Sequence, residues 1–216
     1  MRFFLLALLV FCLGADFVSA HVPNLVEQAT PKDIVTIEDP TLSQAFYGEM
    51  RGFPHTYEIR ATEPFYLFTK ILIPDLEGSG NNVSGIIIKE PENGGRVTEI
   101  TRLRAKEAAW ESEYEPFGGD SYRNGPTFEK ELEAGTYRIE VHTPDNVEKY
   151  VLVVGTREEM SIGYFETVRR IAEVKEFFGK SKLRAVESPF VYVPLLGLMT
   201  VGGIVWYVRR RRVDRV

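Results

Sequence analysis

Cysteine is almost missing from this chain: among 216 residues only Cys12 is present, inside an apolar run near the start. If that run is removed on export, the remaining body has no disulfide, no thiolate zinc site and no cysteine nucleophile. Histidine is also scarce, with His21, His55 and His142 the whole supply. Positive charge is short where it would matter for nucleic acid. Residues 21–188 hold 29 acidic against 20 basic side chains, a net charge of about −9. Phosphate backbones need the opposite sign, so nucleic acid is excluded as a partner. No nucleophile elbow, phosphate-cradling loop or His-Asp-Ser set is present. Long apolar runs are lacking from the body too, and occur only near the two ends.

The first run lies in residues 1–20. Arg2 precedes apolar residues 3–13, and Val18-Ser19-Ala20 places small residues where a signal peptidase would cut. These features predict a secretory signal peptide. Lipoprotein processing at Cys12 is the alternative, but Phe11 stands where a small residue is needed. The second run, residues 190–208, has 19 positions without a charge. At about 1.5 Å per residue it just crosses a hydrocarbon layer of about 30 Å. Tyr192 lies near one end, Trp206 and Tyr207 near the other, and Arg209 to Arg212 follow at once. Interfacial aromatics and a dense basic cluster predict a single-pass anchor with its tail in the cytoplasm. The expected organisation is therefore a signal peptide (1–20), an extracytoplasmic domain (21–155), a juxtamembrane helix or stalk (156–188), a transmembrane helix (189–208) and a basic tail (209–216). The expected location is the plasma membrane, with the domain outside.

The body reads as strands. Residues 127–155 predict three consecutive strands joined by tight turns. In the second of them, Tyr137, Ile139 and Val141 alternate with Thr136, Arg138, Glu140 and His142, the period of a half-buried strand. Pro144-Asp145-Asn146 has turn chemistry. Residues 150–154 are apolar on both faces, so that strand should be covered on both sides. Before this block the sequence predicts a polar, proline-containing lead (21–32), a short strand (34–37), a strand or helical turn (43–50), and strands near 57–60, 65–73 and 86–88. Residues 97–103 suit another strand, whereas 104–109 hold better helix formers. Turn signals about every ten residues predict a mainly β fold, a jelly-roll-like antiparallel β-sandwich, over a parallel α/β sheet.

The order YGEMRGFPHTYEIRATEPFYLFTKILIPD, then GIIIKEPENGG, then FEKELEAGTYRIEVHTPDNVEKYVLVVG resembles the bacterial pre-peptidase C-terminal module over about residues 44–155. Such modules share the Tyr-bearing strand, the "AGTY-x-(I/V)-x-V" strand and a closing "Y-x-L-x-V" strand. The chain departs from them at Phe53-Pro54-His55, where an acidic turn is usual, and in residues 104–126. The resemblance implies a non-catalytic accessory sandwich that sits beside secreted enzymes or binds extracellular polymers, and it carries over no catalytic residue. The signal peptide, sandwich, anchor and short basic tail are also similar to the p24 cargo receptors. This chain lacks their paired cysteines and long coiled coil.

Three groups of residues could bind something. His21, exposed as a new N-terminus by cleavage after Ala20, would offer amine and imidazole together to Cu(II), with His142 or His55 as a second ligand. His142 lies on the polar face of its strand beside Glu140. In residues 110–115, an extended chain would set Glu111, Glu113 and Glu115 on one face and Trp110, Ser112 and Tyr114 on the other. With Asp120 nearby, these carboxylates could hold Ca²⁺, although no calcium-loop spacing is present. The stretch PFGGDSYRNGP, 116–126, reads as a loop in which Gly118, Gly119 and Gly125 permit unusual backbone angles. There Phe117, Asp120, Tyr122 and Arg123 are candidate ligand contacts, since loops on a rigid scaffold carry binding residues.

Residues 161–182 place Ile162, Phe165, Val168, Ala172 and Phe178 near helical spacing, with Ser161 as a possible cap and Gly179 as a stop. Such a helix packs on the sandwich or stiffens the stalk; lying on the outer leaflet is the alternative. Asn82-Val83-Ser84 is a glycosylation sequon. Taken together, the sequence predicts a membrane-anchored, non-catalytic binding module for an extracytoplasmic protein or polysaccharide.

Overall fold

A computed structural model describes residues 22–91, 94–159 and 163–213. Residues 1–20, read above as a signal peptide, and His21, Ser161 and Ile162 lie outside them. Among the described residues, eleven strands form two sheets: β1 (Val22–Val26), β2 (Ile34–Ile37), β3 (Gln44–Glu49), β4 (His55–Ala61), β5 (Phe65–Pro74), β6 (Ser84–Lys89), β7 (Thr98–Leu103), β8 (Glu111–Glu115), β9 (Asp120–Leu132), β10 (Gly135–His142) and β11 (Lys149–Val154). The six-stranded sheet runs β1-β3-β11-β5-β9-β8, and the five-stranded sheet runs β2-β4-β10-β6-β7. The fold is a two-sheet β-sandwich, as the strand pattern predicts.

Two details qualify the expected antiparallel sandwich with strands joined by tight turns. The chain changes sheet at nearly every strand, so the Ala134-Gly135 turn and the 143–148 turn link strands of opposite layers. In addition, β1 pairs with β3 and β2 with β4 in parallel. The residues 21–32 read as a lead therefore contain an edge strand. Pro23 is tolerated there because an edge strand need not use every N–H in the ladder. Residues 104–109 form only a 3₁₀ turn at Ala105–Glu107.

The core lies between the sheets, filled by Tyr57, Ile59, Leu67, Ile71, Ile87, Tyr137, Ile139, Val141, Tyr150 and Leu152. Here β10 alternates as predicted, with Tyr137, Ile139 and Val141 buried. In β11 every residue from Tyr150 to Val154 is buried. Its inward side chains meet the core, and Val151 and Val153 face a second apolar cluster on the sheet's outer surface.

That outer cluster exists because a helix lies over the sheet. Helix α1 (Tyr164–Phe177) is followed by a 3₁₀ segment (Lys182–Glu187) and by helix α2 (Pro189–Val213). Gly179, at φ +68°, ends the turn after α1 in a left-handed conformation, as glycine permits. The buried stripe of α1 is Thr167, Ile171, Val174 and Lys175, with Phe178 just beyond. Phe165, expected on that stripe, points into solvent instead. Helix α2 is long and apolar enough to cross a bilayer over Pro189–Arg211.

Candidate functional site

The outer face of the six-stranded sheet is only partly covered by α1, and the uncovered part is a cleft of about 460 Å³. Alternation along the strands sets its floor: Ala45 and Tyr47 from β3, Phe68 and Leu72 from β5, and Val151 and Val153 from β11. One wall is the β8–β9 hairpin, through Glu113, Tyr114, Glu115, Pro116, Tyr122 and Asn124; the other is the 155–158 segment after β11. At the α1 end, the Tyr47 and Tyr122 hydroxyls share a hydrogen bond of 2.9 Å. Burial pushes both phenols above their ordinary value. The polar rim is mostly acidic. Glu113, Glu115 and Glu158 stand against one ammonium group, that of Lys70. Glu113 accepts from Asn124 Nδ2 at 2.7 Å, and Glu115 accepts from the Phe117 and Gly118 amides. Burial raises the Glu115 carboxyl in spite of those two bonds. The lining contains no histidine or cysteine, so neither the imidazole nor the thiolate of common nucleophilic sites is present.

The sequence-based candidates are distributed as follows. Residues 116–126 are not a loop: a four-residue turn leads directly into β9. Within it, only Gly119 has positive φ, at +73°. At Gly125 the reason for glycine is close approach, since a Cβ there would lie 2.6 Å from the Trp110 ring and from Ile71 O. Tyr122 lines the cleft. Phe117 packs on Phe190 at 5.4 Å between ring centroids. Arg123 pairs with Asp75 at 3.3 Å and donates to Ser79 O and Asn81, tying β9 to the loop before β6.

Asp120 is fully buried and lies 3.1 Å from Lys175 Nζ and 2.6 Å from Lys180 Nζ. Lys175, also fully buried, reaches Gly119 O and Glu187 as well. This cluster fastens α1 and the 3₁₀ segment to the β8–β9 turn. Sequence reading missed it because Asp120 lies 55 and 60 positions from its two lysines, beyond any local pattern.

Of the three glutamates, Glu113 and Glu115 line the cleft, while Glu111 is exposed at the far end of β8. Trp110 does not share the Ser112 and Tyr114 face. Its φ of +56° breaks the alternation, and its ring enters the core with Nε1 donating to Ala105 O. His55 is buried, with Nδ1 2.9 Å from Tyr150 Oη. His142 sits on the five-stranded sheet, 3.8 Å from Glu140, away from the cleft. Among the described residues no group of three or more His, Asp or Glu is placed to hold a metal ion. The copper ligand set begins at His21 and so falls outside them. Asn82 lies half-buried in the surface loop between β5 and β6.

No family model matches the chain, and no curated protein does. Solved structures similar to it include the pre-peptidase C-terminal domain of collagenase from Bacillus anthracis, at 12% identity and a TM-score of 0.35, covering 59% of this chain and 98% of that one. Another is CBM35 from Cellvibrio japonicus Abf62, at 17% identity and a TM-score of 0.26, covering 50% and 69%. The first of these is the module that the strand motifs resemble, and the likeness is weak and remote.

Proposed function

We propose that this protein is a single-pass membrane-anchored β-sandwich, facing outward, that works as a non-catalytic binding module. The ligand is an extended segment of a partner protein in which a basic side chain neighbours an apolar one. The observation that carries this is the cleft. Its volume of about 460 Å³ lies within the range of about 300–1,000 Å³ usual for ligand sites. Its floor is apolar and its rim is rich in carboxylates, which suits an apolar anchor beside a cation. The anchoring is supported by α2, whose apolar run carries Trp206 and Tyr207 near its end, with Arg210 and Arg211 folded back over those two rings.

The test is selection of phage-displayed peptides on the full-length protein held in lipid nanodiscs. Peptides pairing Lys or Arg with a neighbouring apolar residue should be enriched. The double variant Glu113→Lys, Glu158→Lys should weaken them by about tenfold or more. Enrichment untouched by that variant, or binding confined to a polysaccharide array, overturns the reading.

A further inference from the structure

The segment leading into α2, and the turn of α1 that touches its start, carry large apolar side chains that the protein itself leaves exposed. In the 3₁₀ segment Lys182–Glu187, residues three apart stack on one edge. One edge, Ala185 continuing to Ser188, is buried against the body. A second carries the ion pair of Arg184 with Glu187 at 2.6 Å. The third holds Leu183 and Val186, which are 82% and 53% exposed. In the first turn of α1, Tyr164 stacks on Phe190 at 5.3 Å and Phe165 meets Tyr164 edge-on at 5.5 Å. Phe165 is 86% exposed. Single exposed apolar residues are ordinary, but four of them on the two segments that meet the start of α2 mark a surface that something covers.

The length of the apolar run says what covers it. Residues 190–208 reach about 28 Å as a helix, with nothing to spare against a hydrocarbon layer of about 30 Å. Phe190 must therefore lie at the outer boundary of that layer. Its ring is held between those of Phe117 and Tyr164, and Ser188 Oγ caps the helix start by accepting from the Phe190 amide while donating to Phe117 O. The β8–β9 turn and the start of α1 are thus carried to headgroup level with it.

We infer that Tyr164, Phe165, Leu183 and Val186 form a seating collar inserted into the outer-leaflet interface, which holds the sandwich in one orientation on the lipid surface. The inference rests on the reading of α2 as membrane-spanning. Nearby cations already have partners, Lys182 with Glu176, Arg169 with Glu166 and Glu173, and Lys180 with Asp120. Seating is therefore apolar and does not require anionic lipid.

The test uses full-length protein with Cys12→Ser, reconstituted in phosphatidylcholine vesicles with brominated acyl chains. A fluorophore is attached in turn at Phe165→Cys, Leu183→Cys, Leu198→Cys within α2, and Val97→Cys beside β7. These four positions are exposed, so folding is spared. The bromolipid should quench the labels at 165, 183 and 198 by about half and leave 97 unchanged, with the same result when phosphatidylglycerol is added. Quenching at 198 without quenching at 165 and 183 overturns the collar and leaves the anchor standing. No quenching at 198 removes the anchor and the collar with it. Labels at 165 and 183 that respond to protein concentration and not to bromolipid point to a second copy as the cover, which also overturns the collar.

Discussion

Asp120 is the residue on which the junction between sandwich and helices turns. It is fully buried with two ammonium groups within 3.1 Å, and a buried charge is tolerated only when its partners stay in place. Asp120→Ala should destabilise the protein by about 3 kcal/mol, read from the denaturant midpoint of the full chain in detergent. Combining Asp120→Asn with Lys175→Met should cost less than the two changes summed, because each alone strands the other's charge. Titration adds a second expectation. Burial, with Arg51 adding to it, holds the His55 imidazole below its ordinary 6.5. The folded state then binds fewer protons than the unfolded one, so stability falls as pH drops through 6.5. Burial holds the Tyr47, Tyr57, Tyr122 and Tyr150 phenols above their ordinary 10. Here the folded state keeps protons the unfolded chain has lost, so stability falls as pH rises past 10. Melting temperature against pH should show a plateau between those limits, and His55→Gln should flatten its acid edge.

Among the elements, β8 and the start of β9 decide the shape of the cleft. Trp110 adopts φ +56° and lays its ring over Gly125. Adding a methyl group at Gly125 would force the indole and the Ile71 carbonyl apart, so Gly125→Ala should cost about 1–3 kcal/mol, measured by thermal unfolding. The strands were largely legible in the sequence because period-2 alternation is local: β5, β10 and β11 lie where their apolar residues put them. The doubly apolar β11 foretold that something covers its outer face. It did not say that the cover is α1, because that depends on Val174 and Phe178 arriving from more than twenty residues downstream. The cleft was less legible. Only Tyr122, Glu113 and, through the acidic stretch, Glu115 and Tyr114 were singled out beforehand. Ala45, Phe68, Lys70 and Val153 are ordinary strand residues until two sheets and a helix bring them to one surface. Phe165 misled in the other direction: helical spacing placed it with the buried stripe, although it faces outward at the root of α2.

For the molecule as a whole, the proposed ligand cleft, the helix packed beside it and α2 meet at the same β8–β9 turn. Glu115 and Pro116 line the cleft, and Phe117, the next residue, touches Phe190 of α2. On the proposed reading of α2 as membrane-spanning, the cleft lies next to the membrane. All of this requires the sandwich to lie outside. The direct measurement is labelling of Val97→Cys, in a Cys12→Ser background, by a membrane-impermeant maleimide added to intact cells. Val97 is exposed and lies on the sandwich beside β7. Full labelling before lysis is the predicted result; labelling only after the membrane is broken would contradict it.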